Sequence, residues 1–132
     1  IVGLGKACEI ALLDLDNVEY YISKLNSYLI QELKKLNGAV IIGNEKYKVS
    51  SIVDVMIPNL NSDIFITKET DFALSNGSAC TSKIIESSHV LKAMGFSDTE
   101  CNQTIRISIN KETTEYQIDE LINSLKAEIK SI

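Results

Sequence analysis

One cysteine of the chain, Cys80, lies within a run of small residues that follows a short apolar segment, and the run is Ser75-Asn76-Gly77-Ser78-Ala79-Cys80-Thr81-Ser82. Small residues leave a thiol accessible, and backbone N–H groups and hydroxyls stabilise a thiolate, the nucleophilic form of cysteine. The alternative is a free cysteine buried in a turn, since cysteine is among the most buried residue types. On spacing alone the buried cysteine is the commoner case, and both interpretations stay open at this point.

Arg106 lies in a segment that alternates apolar and polar residues from Thr104 to Ile109. This period of two is typical of a half-buried strand, and it places Arg106 on the polar face. An arginine on a polar face is most often a surface residue. Its planar fork also suits bidentate binding of a carboxylate, so the segment alone leaves both roles open.

The remaining cysteines and the histidine are not expected to form a metal site or to take part in catalysis. Three cysteines and one histidine match no zinc pattern. A sparse, odd number of thiols indicates a reducing compartment, the cytoplasm, rather than a disulfide scaffold. We expect Cys8 to be packed within its helix, Cys101 to be a bystander in a polar run, and His89 to be structural or helix-capping.

Composition predicts an ordinary globular domain. The chain has 132 residues, of which 45% are hydrophobic, and its net charge is −5. This charge argues against binding to nucleic acid or to an anionic membrane surface. The longest uncharged apolar run, from Ala39 to Gly43, is too short to span a bilayer. The chain begins at Ile1 rather than at Met, from which we expect a fragment of a longer protein.

Periodicity predicts interleaved helices and strands. Apolar residues at three- and four-residue steps predict a helix from Lys6 to Leu36, with a possible break at Asp14 and Asp16-Asn17 and a stop at Asn37-Gly38. Three further helices are predicted: a short one capped by Asn61-Ser62-Asp63, one at 88–94 that ends at Gly95, and a last one that Thr114 and Gln117 open with a capping box. Strands are predicted at 39–42 (buried), 49–57, 72–74 and 104–109. The predicted fold class is therefore α/β, with a small antiparallel or mixed sheet covered by helices.

The small-residue run around Cys80 resembles the active-site motif of cysteine desulfurases, which is roughly Ser-Ser/Thr-Gly-Ser-Ala-Cys-Ser/Thr-Ser. Four other segments resemble that family in the same order along the chain, at 1–7, 86–95, 104–108 and 113–119. The matches cover nearly the whole chain. Two departures, Ser87 in place of a proline and Ile109-Asn110-Lys111 in place of a glycine-containing stretch, indicate a divergent branch.

The resemblance implies the architecture of a two-part enzyme. Residues 1–132 would form a single domain, the C-terminal small domain of a fold-type I transferase of the class-V aminotransferase type. The large domain, absent from this chain, would hold pyridoxal 5'-phosphate through a lysine in a motif near Ser-x-His-Lys-x-x-Gly-Pro. This chain has no such motif. We therefore expect no cofactor-binding residue here, and no activity from the fragment alone.

The resemblance also implies the roles of the site residues. Cys80 would be the catalytic thiol that takes sulfur from L-cysteine as a persulfide and releases L-alanine, and Arg106 would bind the substrate carboxylate. The loop around Cys80 would comprise Ser75, Asn76, Gly77, Ser78, Ala79, Thr81 and Ser82. The expected partners are L-cysteine and sulfur-acceptor proteins, within a cytoplasmic homodimer that binds neither nucleic acid nor membrane directly.

The sequence does not decide which acceptor receives the sulfur. The acceptor would serve iron–sulfur cluster assembly, tRNA thiolation or DNA sulfur modification. One alternative is a stand-alone persulfide carrier or interaction module without pyridoxal phosphate chemistry. Another is a class-V lyase with a different reaction, which is disfavoured because such relatives need no cysteine in this loop.

Overall fold

The computed structural model describes residues 1–44, 46–76 and 88–130. Within these ranges the helices are α1 (Val2–Leu33), α2 (Ser62–Lys68), α3 (His89–Ala93), α4 (Asp98–Asn102) and α5 (Glu115–Lys130). The strands are β1 (Val40–Ile42), β2 (Ile52–Met56), β3 (Leu74–Ser75) and β4 (Thr104–Ser108). The predicted α/β class is confirmed.

The strands form one sheet in the order β1-β2-β4-β3, in which every neighbouring pair is antiparallel. The central pair, β2 and β4, runs in register from Ile52 opposite Ser108 to Met56 opposite Thr104. Directly opposed residues of an antiparallel pair project to the same side of the sheet. The register therefore decides which polar side chains meet across the strands.

One side of the sheet, which we call the core face, carries Val53, Val55, Ile105 and Ile107, whose side chains are between 0% and 4% exposed. Apolar side chains of α1 and α5 pack against it, namely Leu25, Leu29, Leu33, Ile118, Leu121, Ile122 and Leu125. The core is thus closed by these two helices. The residues that alternate with those of the core face, including Asp54, Arg106 and Ser108, point to the opposite side, which we call the outer face.

Helix α1 is continuous over 32 residues, so the break considered at Asp14 and Asp16-Asn17 is wrong. Aspartate and asparagine lower helix propensity only modestly when their side chains face solvent. The two halves of α1 differ in burial: residues 1–17 are almost all exposed, whereas buried positions begin at Ile22. Only the second half of the helix contributes to the core.

The helix ends follow the local signals in the sequence. Asn61 Oδ1 accepts a hydrogen bond from the Ile64 backbone N–H at 3.1 Å, and Thr114 and Gln117 form the predicted reciprocal bonds at the start of α5. Gly38 has φ +74, and a Cβ there would lie 2.9 Å from Pro58 Cγ, so the chain reversal after α1 requires glycine at this position.

Two local expectations are corrected. Strand β1 is an edge strand rather than a buried one, and Val40 is 45% exposed. The sequence interpretation also omitted α4, which begins with a capping box between Ser97 and Glu100. This segment lacks the apolar periodicity that indicates a helix, since α4 buries only Cys101. None of the helices within the described ranges is long and apolar enough to cross a membrane.

Candidate functional site

Three polar residues from three neighbouring strands form a row on the outer face. Asp54 of β2 is directly opposite Arg106 of β4, which is directly opposite Ser75 of β3. All three residues are half-buried. Arg106 Nη2 donates a hydrogen bond to Ser75 Oγ at 3.4 Å. We call Asp54, Arg106 and Ser75 the polar row.

Few of the N–H donors of Arg106 have a partner among the described residues. An arginine side chain carries five N–H donors in a fixed fork. Its bond to Ser75 is the one side-chain hydrogen bond that Arg106 makes to the described residues, and no ion pair engages it there. A half-buried guanidinium fork whose donors have few partners among the described residues is suited to bind a small carboxylate in bidentate fashion. The structure thus presents Arg106 in a state consistent with the predicted substrate-binding role.

Asp54 supplies the negative charge nearest to Arg106 within the row. Burial raises the pKa of the Asp54 carboxyl above its ordinary value, and the positive charge of Arg106 acts in the opposite direction. Among the ion pairs of the described residues, none joins these two side chains directly. The carboxylate therefore acts on Arg106 through its field, and it does not occupy the fork. Sequence reasoning missed Asp54, although an acidic residue within the apolar segment Ile52–Met56 is a usable signal.

The beginning of the cysteine-bearing run is tied to the polar row and to α2. Ser75 was predicted to be a loop residue, but it is the last residue of β3. The side-chain amide of Asn76 donates a hydrogen bond to Asp63 in the first turn of α2. The remaining predicted loop and catalytic residues lie outside the described residues, namely Gly77, Ser78, Ala79, Cys80, Thr81 and Ser82.

The other candidate side chains lie apart from the polar row. Cys101 is buried in α4, where burial, followed by the nearby charge of Asp98, raises the pKa of its thiol. A thiol held protonated is a poor nucleophile. Cys8 is exposed, so the expectation that it is packed within its helix is wrong. His89 is exposed at the start of α3, and Ser88, not His89, caps that helix.

A cleft in the described structure lies apart from the predicted site. It has a volume of about 620 Å³ and lies between β3, the end of β4 and α5, with Leu74, Ile107 and Leu121 in its wall. None of the described site residues lines it. Within the described ranges, no group of three or more His, Cys, Asp or Glu side chains is placed to hold a metal ion.

The chain folds as an α/β domain whose antiparallel sheet carries the half-buried Arg106 on its outer face. The chain belongs to the class-V aminotransferase family, whose family model matches residues 1–121. The predicted membership, made from the motifs around Cys80 and Arg106, is confirmed.

Relatives in this family align with nearly the whole chain. Cysteine desulfurase IscS of Methylobacillus flagellatus is 34% identical over 129 residues, which are 98% of this chain and 32% of that protein. Human cysteine desulfurase is 33% identical over 133 residues, which are 100% of this chain and 29% of that protein. The chain therefore spans about a third of the length of these curated relatives.

Solved structures agree with the fold. A NifS-like protein superposes with a TM-score of 0.80 at 26% identity, over 99% of this chain and 33% of its own. The NifS-like protein from Rickettsia africae gives the same TM-score, 0.80, at 24% identity, over 98% of this chain and 34% of its own, and it shows the fold alone.

Proposed function

We propose that this chain is the small domain of a cysteine desulfurase, in which Cys80 takes sulfur from L-cysteine as a persulfide and L-alanine is released. The observation that carries the proposal is the polar row. In this row the guanidinium of Arg106 contacts Ser75, which stands at the start of the run that contains Cys80. A carboxylate clamp and a thiol are the two groups that this chain has to supply.

In this proposal, Arg106 holds the substrate and Cys80 accepts its sulfur. Arg106 holds the α-carboxylate of cysteine with two parallel N–H···O bonds. The Cys80 thiolate attacks the substrate sulfur, so that a sulfur–sulfur bond forms while the carbon–sulfur bond breaks. The electron pair of the broken bond stays on carbon, which takes up a proton to complete the methyl group of alanine. The products are alanine and a persulfide on Cys80.

Pyridoxal 5'-phosphate is the cofactor that family membership implies, and when bound it withdraws electrons from the substrate and weakens the carbon–sulfur bond. The family's lysine motif, near Ser-x-His-Lys-x-x-Gly-Pro, has no match in this sequence. We propose that the anchor belongs to the rest of a longer protein, in which the large domain holds the cofactor.

The persulfide then has to reach an acceptor protein away from the substrate. Small residues on both sides of Cys80 favour a loop that moves between the two positions. We propose a homodimeric cytoplasmic enzyme that delivers sulfur to iron–sulfur cluster assembly, tRNA thiolation or DNA sulfur modification. The three routes differ in the acceptor and not in the chemistry at Cys80.

The proposal is tested by the substitution Cys80→Ser in the full-length protein. We expect persulfide formation and alanine release to be lost, while cofactor binding and the melting temperature stay nearly unchanged. A serine hydroxyl is far less acidic than a thiol, whose ordinary pKa is about 8.5, and oxygen cannot form the sulfur–sulfur bond. Peptide mass spectrometry after incubation with cysteine locates the persulfide.

Cys8→Ser is the matched control, because Cys8 is a free and exposed cysteine. This variant should keep both products. Normal alanine release from Cys80→Ser, with the persulfide on Cys8 or Cys101, would remove Cys80 from the mechanism. A lower melting temperature with unchanged turnover would return Cys80 to the role of a buried packing residue. Persulfide formation by a protein that contains no pyridoxal phosphate would favour the carrier alternative.

A further inference from the structure

The relation between Asp54 and Arg106 has no counterpart elsewhere in the described sheet. They are directly opposed on the two central strands, both are half-buried, and they are the two charged residues within the four strands. An aspartate and an arginine in this arrangement are expected to form a direct ion pair. Here the described ion pairs do not include one between them, and the nitrogen Nη2 of Arg106 instead donates to Ser75.

We propose that Asp54 is a positioning residue for Arg106, which balances its charge from one side while leaving its N–H fork open for the substrate carboxylate. This inference rests on the proposed function, since it assigns a task to Asp54 only if Arg106 binds the substrate. Asp54 itself touches neither substrate nor cofactor in this account. It acts through Arg106.

Geometry gives the first argument. Arg106 lies between two neighbours in the polar row, Asp54 on β2 and Ser75 on β3. The serine fixes one nitrogen of the guanidinium by a hydrogen bond at 3.4 Å, and the aspartate attracts its charge from the opposite side. A long side chain held from both sides loses rotamer freedom before the ligand arrives. Less entropy is then lost when the carboxylate binds.

Energetics give the second argument. Burial disfavours the ionised form of Asp54, and the attraction of Arg106 does not fully offset this effect, because the pKa of the carboxyl is raised on balance. An ionised Asp54 therefore lowers the stability of the fold relative to a neutral side chain of the same shape. A structural ion pair would have the opposite sign. The charge of Asp54 is therefore not explained by a gain in the stability of the sheet, whereas its attraction for Arg106 gives it a task.

The test is the substitution Asp54→Asn in the full-length enzyme, because asparagine keeps the shape and removes the charge. We expect the KM for L-cysteine to rise about 3- to 10-fold, as couplings between contacting groups predict, while kcat changes less than about twofold. The dissociation constant of L-alanine, measured by calorimetry, should rise in parallel, since alanine carries the same carboxylate. Ser108→Ala is the matched control, because Ser108 lies on the outer face of β4, the strand of Arg106, but is opposite Ile52.

A double-mutant cycle separates positioning from a direct contact. In an Arg106→Ala background, Asp54→Asn should cause no further rise in KM, because the residue through which it acts is gone. The melting temperature of Asp54→Asn should equal or exceed that of the parent protein. An unchanged or lower KM in Asp54→Asn would overturn the inference, and so would a fall in melting temperature with KM unaffected.

The two proposals fail in different ways. If Arg106→Ala leaves the KM for cysteine unchanged, the carboxylate clamp of the proposed function is wrong. If Arg106→Ala raises KM but Asp54→Asn does not, the clamp stands and only the positioning role is wrong. Asp54→Ala, run in the same assays, checks that the outcome does not depend on hydrogen bonds that asparagine makes.

Discussion

The two faces of the small sheet are built from alternating residues of the same strands, yet these residues differ in burial and in charge. On the core face, Val53, Val55, Ile105 and Ile107 are almost fully buried under α1 and α5. On the outer face, Asp54, Arg106 and Ser75 are half-buried and linked by charge and a hydrogen bond. Because consecutive strand residues point to opposite faces, neighbouring residues of one strand belong either to the core or to the proposed binding site.

This difference means that substitutions on the two faces should change different measurable quantities. Removal of apolar volume from the core face leaves a cavity and lowers the free energy of unfolding. Removal of a polar group from the outer face changes little buried apolar area, so it should change binding and leave the fold nearly intact. The contrast also applies to α1, whose second half packs on the core face and whose first half is exposed.

The largest effect on stability is expected for Leu29→Ala. Leu29 is 0% exposed in the second half of α1, and its truncation should lower the free energy of unfolding by about 2–5 kcal/mol. Leu12→Ala is the matched control in the same helix, because Leu12 is 76% exposed and the change should stay within about 0.5 kcal/mol. Urea unfolding of the 132-residue chain measures both. Equal losses in the two variants would show that the exposed half of α1 also packs on the domain.

A smaller effect should appear in the pH dependence of stability. Burial raises the pKa of Asp54 in the folded chain, so the folded state holds its proton to higher pH than the unfolded state does. The stabilisation that protonated Asp54 gives to the folded state is fully present below the unfolded aspartate pKa of about 3.9. It is lost as pH rises through the raised pKa of the folded state. The stability advantage of Asp54→Asn over the parent chain should therefore grow with pH in that window.

Glu100 provides a contrast of opposite sign. The hydroxyl and the backbone N–H of Ser97 lower the pKa of Glu100, so its contribution is present above the unfolded glutamate pKa and is lost as pH falls through the folded value. Glu100→Gln should cost stability near neutral pH and progressively less in acid. Urea midpoints of both variants across the acidic range measure the slopes. Slopes of the same sign would contradict the electrostatic description of the outer face.

Local signals in the sequence were sufficient for most of the elements. The alternation at Thr104–Ser108 predicted β4 and the outward position of Arg106, and the caps at Asn61 and Thr114 predicted the starts of α2 and α5. These signals depend on residues three or fewer positions apart. The family motif around Arg106 implied a substrate-binding role, which spacing alone left open and which stays a prediction.

Features that depend on distant parts of the chain were not predicted. Asp54 faces Arg106 only through the register of β2 with β4, and 52 positions separate the two in sequence, so no local pattern links them. The exposed first half of α1 has the same apolar periodicity as the buried half, because a pattern records which face is apolar and not whether a partner covers it. Cys80, the proposed sulfur acceptor, lies outside the described residues, and its role stays a prediction.

The central claim is that the outer face binds the substrate carboxylate through Arg106, and it is tested most directly by comparing Arg106→Ala with Ile105→Ala. These neighbours on β4 point to opposite faces. We expect Arg106→Ala to weaken recognition of L-cysteine by the full-length enzyme by about 2–4 kcal/mol, with little change in stability. Arg106→Lys should restore little, because lysine lacks the fork.

For Ile105→Ala we expect the opposite result: a loss of about 2–5 kcal/mol in the free energy of unfolding of the chain, with the KM of the folded enzyme nearly unchanged. KM for cysteine and urea unfolding are measured on both variants. The account predicts that each variant changes one quantity and spares the other. An unchanged KM in Arg106→Ala, or a loss of stability there as large as in Ile105→Ala, would contradict it.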